Sequence, residues 1–443
     1  MEKANFIKTI FELFNKNDIQ YFVFGEYANL PNNTGDSDID VVIDYKNLGQ
    51  AKQILNDLYK KNGVILGSFY TNSTSLFYRF ITPQWGVQLD IFYKVFTYKG
   101  VIYYPIKNVV NDIILHNNIK VLRIQKGYYI DYLKEIIHLG KAKDKYIKGF
   151  IEEINSNYVY YKNEIEKLYG EKTATLILRN LSINSLSNQC KNIQKSIFNN
   201  TPISKRCSIV LNQLILVKRL FQTKPGYVIA IIGTDGSGKS TIIHNITPIL
   251  NEGFHNGIIY NHLRPNTIPD LGIILGKKEK RRNVMVVSNP HAEKQSGLIG
   301  SLIRWGYYMI DYTFGYFKAV YPVIHLKSKI FIFDRYYYDY YIDSKRSRIN
   351  LPKWIIQIGE FFLPKPDLIL CLGGDPKKIY ERKPETSLEE VSRQTEALKK
   401  FYTTHKRAIW IDTCTDIETS TNQAMKAICN VMSKRYSTKF KLE

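Results

Sequence analysis

The sequence predicts an α/β protein of more than one domain: a C-terminal parallel sheet flanked by helices, an N-terminal α+β domain, and a helical connector between them. Three observations predict this. Beyond residue 225, short apolar runs alternate with helical stretches; a glycine-rich turn follows the first of these runs; and an Asp-dense segment lies between apolar runs near the N-terminus. A chain of 443 residues exceeds the roughly 250–300 residues at which a single core stops growing. The expected boundaries are 1–107, 108–224 and 225–443.

In the first region Phe6, Ile10, Leu13 and Phe14 recur at helical spacing ahead of the apolar run Tyr21–Phe24. Val41–Ile43 is a second run. Leu76–Phe80 and Val87–Phe92 flank Thr82-Pro-Gln-Trp-Gly86, a Pro/Gly turn that predicts a hairpin. From 108 to 222 Gly and Pro thin out. Ile130, Leu133, Ile136, Ile137 and Gly140 suit an amphipathic helix, as do Leu211, Leu214, Ile215 and Leu220. Pro225-Gly226 then punctuates the chain, and Tyr227–Ile232 opens a new strand. Ile258–Tyr260, Lys329–Phe333, Leu368–Leu372 and Ala408–Ile411 follow, separated by helical stretches, the pattern of a parallel sheet.

Hydrophobic residues make up 44% and charged residues 23%, a balance that excludes disorder, collagen and a small disulfide scaffold. No apolar stretch approaches the ~20 residues of a membrane span. The opening Met1-Glu-Lys-Ala-Asn-Phe predicts no secretory leader. Five cysteines without a C-x-x-C pair suit a reducing, cytoplasmic location. The net charge of +22, from 62 Lys+Arg against 40 Asp+Glu, fits nucleic acid, an anionic surface or phosphorylated small molecules. It also fits a Lys- and Tyr-rich codon bias. No basic tail or RNP-like aromatic motif appears, which argues against nucleic acid. The eight histidines show no zinc-ligand spacing.

Gly233-Thr-Asp235-Gly236-Ser237-Gly238-Lys239-Ser240-Thr241 matches G-x-x-x-x-G-K-[ST], with an apolar strand before it and the helical run Ile242–Leu250 after it. The glycines let the backbone curl so that its N–H groups converge on phosphate oxygens. A helix N-terminus adds its positive end. Lys239 is placed to reach β/γ-phosphates and the Ser240 hydroxyl to ligate Mg²⁺, so ATP and Mg²⁺ are the expected ligands. The run Ile330-Phe-Ile-Phe-Asp334-Arg335 ends an apolar strand with a carboxylate and a guanidinium. These suit Mg²⁺ and an acceptor phosphate respectively, or a surface ion pair. Ser387 with Glu390 forms a capping-box pattern, with Val391, Leu398 and Tyr402 on one helix face. Arg382, Lys383 and Arg393 cluster near that helix start, as a phosphate-covering lid or as a solvated basic face.

On these features residues 227–435 resemble the thymidylate kinase branch of P-loop kinases, supported further by Pro366-Asp-Leu-Ile-Leu-Cys-Leu372 with Asp375-Pro376. The resemblance implies catalytic roles for Lys239, Asp334, Arg335 and Arg382, and acceptor contacts from Arg264, Arg335 and Arg393. The stretch Asn261-His262-Leu-Arg264-Pro265 and a long insertion over 266–325 depart from the housekeeping enzymes. That insertion holds Lys277–Arg282, Asn289-Pro-His291 and Asp311–Tyr316. It resembles divergent kinases of bacterial surface-polysaccharide gene clusters, so the small anionic acceptor ranges from a nucleotide to a sugar phosphate. The family also implies a possible homodimer.

Asp36, Asp38 and Asp40 precede Val41–Ile43, and Asp90 ends another apolar run. Strand alternation puts Asp38 and Asp40 on one face, and Asp90 on a neighbouring strand completes a trio suited to Mg²⁺. An Asp-rich capping loop is the alternative. With Gly25 and Gly35-Asp-Ser-Asp38-Ile-Asp40, residues 20–95 resemble the polymerase β-type nucleotidyltransferases. Gly25-Glu26-Tyr27 departs from that pattern by placing a carboxylate where a triphosphate is expected. Three readings therefore stand: an ATP-dependent phosphotransferase, a nucleotidyltransferase with a regulatory P-loop module, and a nucleotide-gated scaffold.

Overall fold

The computed structural model describes residues 1–34, 38–72, 74–93, 96–98, 101–202, 224–269 and 296–437, with isolated positions 217, 220, 221 and 271. Asp36, Leu211, Leu214, Ile215, the basic run 277–282 and Asn289–His291 lie outside the described residues. The chain forms two compact units, residues 1–80 with 87–218, and residues 81–86 with 219–443.

The first unit opens with helix Lys3–Lys16, which buries Phe6, Ile7, Ile10, Phe11 and Phe14. Leu13 is only half-buried, and Phe11 takes the core position beside it. Its strands are β1 (Tyr21–Phe24), β2 (Ile39–Ile43), β3 (Ile65–Thr71), β4 (Ser75–Ile81), β5 (Gly86–Phe92), β6 (Phe96–Tyr98), β7 (Val101–Tyr104), β8 (Ile113–His116) and β9 (Ile119–Leu122). Seven of them build one mixed sheet in the order β3-β4-β5-β2-β1-β9-β8, and β6 with β7 forms a separate ribbon. The β4–β5 turn closes through the Thr82 N–H donating to the Trp85 carbonyl at 2.8 Å. β2 runs antiparallel to β1 and parallel to β5, with Asp40 in register with Phe24 on one side and Asp90 on the other.

Helices Ile124–Leu139, Asp144–Ser156, Tyr158–Tyr169, Glu171–Leu178 and Ile183–Asn200 cover this sheet. Phe22, Phe24, Val42 and Leu122 share one core with Ile130, Leu133, Ile136, Phe150, Ile165 and Ile193. The helices expected to connect two domains thus share the core of the first unit, and β8 and β9 carry its sheet past residue 107. Four-residue strands inside a helical texture leave too little alternation to be read. Gly140 ends helix Ile124–Leu139 in the left-handed region at φ 65°, where a side chain would be strained.

The second unit has β10 (Tyr227–Gly233), β11 (Ile258–His262), β12 (Ile330–Asp334), β13 (Leu368–Gly373) and β14 (Ala408–Asp412). They form a five-stranded sheet in the order β11-β12-β10-β13-β14, and every neighbouring pair is parallel. Helices cover both faces of such a sheet, which explains why β10, β12 and β13 read as unbroken apolar runs and are buried throughout. Within the expected insertion, helix Leu298–Ile310 continues through a π-helical segment, Asp311–Val320, into helix Tyr321–Leu326. Helix Leu388–Thr404 starts at Ser387, whose hydroxyl accepts from the Glu390 N–H at 3.2 Å. The Glu390 carboxylate accepts from Arg393 and Gln394. Val391, Leu398 and Phe401 supply the buried stripe of this helix, and Tyr402 falls to its exposed side.

Candidate functional site

The C-terminal end of β10 runs directly into the glycine-rich turn. Gly236 and Gly238 take φ values of 77° and 80°, and a Cβ on Gly236 would lie 2.7 Å from the Ile379 carbonyl oxygen. A Cβ on Gly233 would approach the Leu372 carbonyl oxygen to 2.5 Å. Only glycine fits these three places. Helix Lys239–Phe254 then starts with Gly238 as its N-cap and no side-chain cap, so its first-turn N–H groups are open to an anion. Lys239 is buried, and its ammonium donates to the carbonyls of Gly233 (3.0 Å) and Thr234 (2.7 Å). Burial, and then the neighbouring Arg335 charge, lower its pKa to about 7 against the pull of Asp334 and Asp339.

Asp334 ends β12 beside this turn. Its Oδ2 accepts from the Tyr260 hydroxyl at 2.8 Å and lies 3.6 Å from His262 Nδ1. Burial disfavours its charged form, yet His262, Lys239 and Tyr260 outweigh this and hold the pKa at about 2. Its Oδ1 is buried without a hydrogen-bond partner among the described residues. A buried carboxylate oxygen left bare is costly, and a hard cation is what such an atom suits. The residues present therefore fit Mg²⁺, with Asp334 and the exposed Ser240 as the candidate ligands.

Asp235, Gly236, Gly238, Lys239, Ser240 and Thr241 line a cleft of about 710 Å³, joined by Asp334, Arg335 and Arg382. His262, Arg346, Lys383 and Thr413 are also part of its wall. Gly233 and Ser237 are buried and do not line it. Arg335 is buried at φ 68°; its guanidinium donates to both oxygens of Asp339 (2.9 and 3.0 Å) and to Asp235 (2.6 Å). Arg346 pairs with Asp235 as well. Two guanidinium groups are thus held by carboxylates at the cleft wall, and a phosphate entering there would exchange with those partners.

Arg264 and Arg393 are placed elsewhere. Arg264 is buried against Asp311 at 2.6 Å and stacks on Tyr308. Asp311 also accepts from the N–H groups of Asn266 and Thr267, each at 2.9 Å, and the Tyr312 hydroxyl donates to the Leu263 carbonyl. A Cβ on Gly315 would sit 2.4 Å from Asp311 Oδ1. The Arg264-Pro265 turn and the Asp311–Tyr316 segment are therefore one clasp. Arg393 donates to Glu390 and to the Ile342 carbonyl, outside the cleft lining. Sequence reading missed Arg346, Tyr260 and Thr413, none of which sits in a contiguous motif.

In the first unit Asp38, Asp40 and Asp90 bring carboxylate oxygens within 4.8 Å of one another. Burial, then the Asp38 charge, raises the pKa of Asp40 well above the carboxylate range, and burial with Asp38 and Asp40 does the same to Asp90. Lys134 and Arg79 pull in the opposite direction. Gln88 donates to Asp38 (3.3 Å) and Asp90 (2.9 Å). Clustered acids whose charge burial disfavours are relieved by a divalent cation, so this trio also fits Mg²⁺. Gly25 turns at φ 89°, and the carboxylate of Glu26 pairs with Lys145.

No protein-family model matches the sequence, and no curated protein does. Among solved structures, thymidylate kinase from Ehrlichia chaffeensis is similar to 46% of this chain over 98% of its own, at 16% identity and a TM-score of 0.32. Thymidylate kinase from Candida albicans is similar to 47% of this chain over 92% of its own, at 17% identity and a TM-score of 0.34. No helix among the described residues is long and apolar enough to cross a membrane.

Proposed function

We propose that the chain is an ATP-dependent phosphotransferase that moves a γ-phosphoryl group onto a small anionic acceptor, a nucleoside monophosphate or a related sugar phosphate. The observation that carries this reading is the convergence of Lys239, Ser240 and Asp334, whose Oδ1 is buried without a partner among the described residues, on one cleft at the glycine-rich turn. The first-turn N–H groups of helix Lys239–Phe254 hold the β-phosphate, and Lys239 exchanges its two carbonyl partners for β/γ oxygens. Ser240 and Asp334 would hold Mg²⁺, which would supply neutralisation of the charge on the transferring group. Tyr260 and His262 fix the Asp334 carboxylate through Oδ2 and leave Oδ1 for the cation. Arg335 and Arg346 exchange carboxylates for acceptor phosphate, and Arg382 covers charge developing in flight. ATP offered with a panel of nucleoside monophosphates and sugar phosphates, read by mass spectrometry, tests this. Turnover by the intact chain and its loss in Lys239→Ala are expected, and full activity of that variant would sink the reading.

A second activity is favoured by the carboxylate trio. Asp38, Asp40 and Asp90 would hold Mg²⁺ for nucleotidyl transfer, with Glu26 withdrawn from incoming phosphates by Lys145. Asp38→Asn with Asp40→Asn should abolish nucleotide addition to any acceptor while sparing γ-phosphoryl transfer.

A further inference from the structure

Two buried side chains outside the carboxylate trio bear on it. Gln88 and Arg79 are 5% and 4% exposed and lie on the neighbouring strands β5 and β4. Gln88 precedes Asp90 by two residues, so strand alternation turns both side chains to the same face of β5. Its Nε2 donates to Asp90 Oδ1 at 2.9 Å and to Asp38 Oδ2 at 3.3 Å. One amide thus spans two carboxylates from different segments, Asp90 within β5 and Asp38 just ahead of β2. On its other side, Arg79 Nε donates to Gln88 Oε1 at 2.9 Å. Arg79 is itself held against β3, with its guanidinium carbon 5.2 Å from the Tyr70 ring centroid and Nη2 3.5 Å from the Tyr70 hydroxyl. The Tyr70 ring stacks in turn on Phe77, their centroids 4.4 Å apart.

The hydrogen bonds of this chain of groups can run in one direction only. A guanidinium carries donors and no acceptor, so the Gln88 oxygen faces Arg79 and the NH₂ group faces the acids. A reversed amide would press its oxygen against two carboxylates and its NH₂ against the guanidinium. Without the amide, Asp38 and Asp90 would lose the group that bridges them, and like charges at close range repel. With it, each receives a proton on one oxygen, and their ligand atoms stay with that of Asp40 inside 4.8 Å. Neither an amide NH₂ nor a guanidinium has a lone pair to offer a cation, so both residues act through the carboxylates. We infer that Gln88, oriented by Arg79, is the positioning residue of the trio, holding Asp38 and Asp90 at the spacing from which they converge with Asp40 on a divalent cation. The inference rests on the reading of the trio as a Mg²⁺ site and adds what keeps that site assembled before the cation arrives. Removing such an orienting partner typically weakens metal binding by about ten- to a hundredfold.

Calorimetric titration of the full chain with Mn²⁺, which takes the same oxygen ligands as Mg²⁺, tests this. The binding that belongs to the trio is the part that Asp38→Asn with Asp40→Asn removes. Gln88→Met keeps the length of the side chain without its donors and should weaken that part by about ten- to a hundredfold. Arg79→Lys keeps the charge but gives up the planar fork that sets the amide, and should weaken it by about tenfold. Because Arg79 acts through Gln88, adding Arg79→Lys to Gln88→Met should weaken binding by less than about a further twofold. General loosening of the strand pair would instead give additive losses. Unchanged Mn²⁺ affinity in Gln88→Met overturns the assignment while leaving the trio a cation site, and so do additive losses in the double variant. If Gln88→Met does not fold, Arg79→Lys decides, and full affinity there overturns the assignment. Should the intact chain show no binding that Asp38→Asn with Asp40→Asn removes, the Mg²⁺ reading of the trio falls and the assignment falls with it.

Discussion

The two acidic centres of this chain are opposites. In the first unit three carboxylates crowd one another, and burial with mutual repulsion pushes Asp40 and Asp90 toward their neutral forms. In the second unit Asp334 sits among Lys239, His262 and Tyr260 and is held at about 2. There the strained group is the cation: Lys239 is buried beside Arg335 and its pKa falls to about 7. In one centre Lys134 and Arg79 do not offset burial and repulsion among the acids; in the other, burial and a neighbouring guanidinium disfavour the charge on the lysine. On the proposed reading the first receives a cation and the second a polyanion, although both carry Asp residues near strand ends. Counting acids would have grouped them; their neighbours separate them.

The sharpest way to break this contrast is to cross the substitutions. Lys239→Ala should lower γ-phosphoryl transfer by on the order of a thousandfold, leaving the thermal shift produced by Mg²⁺ at the first unit intact. Asp38→Asn with Asp40→Asn should do the reverse, and a variant that abolishes both responses would show the centres to be one system. Stability measurements sharpen the first half. Asp40 and Asp90 have folded pKa values raised above their unfolded ones, so their stabilisation is complete below the ordinary carboxylate range and is lost as pH rises through the raised values. Below the range in which Lys239 titrates, metal-free protein should therefore lose stability as pH rises from about 4, and Mg²⁺ should restore it. Asp40→Asn should raise the metal-free Tm by about 3 °C near neutrality and abolish the Mg²⁺ response. A metal-free Tm that rises over this range would contradict the repulsive centre.

The second half is sharpened by counting protons. With the Lys239 pKa lowered to about 7, the empty cleft holds a largely neutral amine at about pH 8.5, while the unfolded chain keeps the proton. This group therefore adds stability to the unliganded protein as pH rises through about 7 toward the ordinary lysine range. A triphosphate recharges the amine, so calorimetry in buffers of different ionisation enthalpy should record uptake of close to one proton at about pH 8.5 and almost none near pH 6. Lys239→Met should remove the difference, and equal uptake at both values would mean that Lys239 is charged throughout.

How much of this was legible in the sequence follows from distance along the chain. The glycine-rich turn was readable because its parts are contiguous and its glycines are required by φ and by close approach. The Asp38–Asp40 face was readable because strands alternate, and Asp90 because it ends an apolar run. Arg264 was drawn from its expected position by Asp311, 47 residues later, a pairing that no local pattern encodes. Arg346 reaches the cleft through Asp235, 111 residues away, and Tyr260 through Asp334, 74 residues away. The core shared by the first sheet and the helices after residue 122 was hidden for a related reason. Amphipathic helices announce an apolar face but not what it packs against.

The smallest expected effect tests whether position or charge decides which arginines serve the cleft. Arg382 closes helix Pro376–Arg382 on the cleft wall, whereas Arg393 lies eleven residues on, in helix Leu388–Thr404. The Arg393 guanidinium is occupied: Nε and Nη2 donate to Glu390 at 2.8 and 2.7 Å, and Nη2 also reaches the Ile342 carbonyl at 3.1 Å. The pair is half-exposed on the Arg393 side, so its loss should cost little stability. Arg382→Ala should slow phosphotransfer by about a hundredfold, and Arg393→Ala by less than about twofold, within the range of an exposed ion pair. If Arg393→Ala instead slowed the reaction as much as Arg382→Ala, helix Leu388–Thr404 would have to swing over the cleft during turnover. The Glu390 pairing would then be the resting latch of a lid.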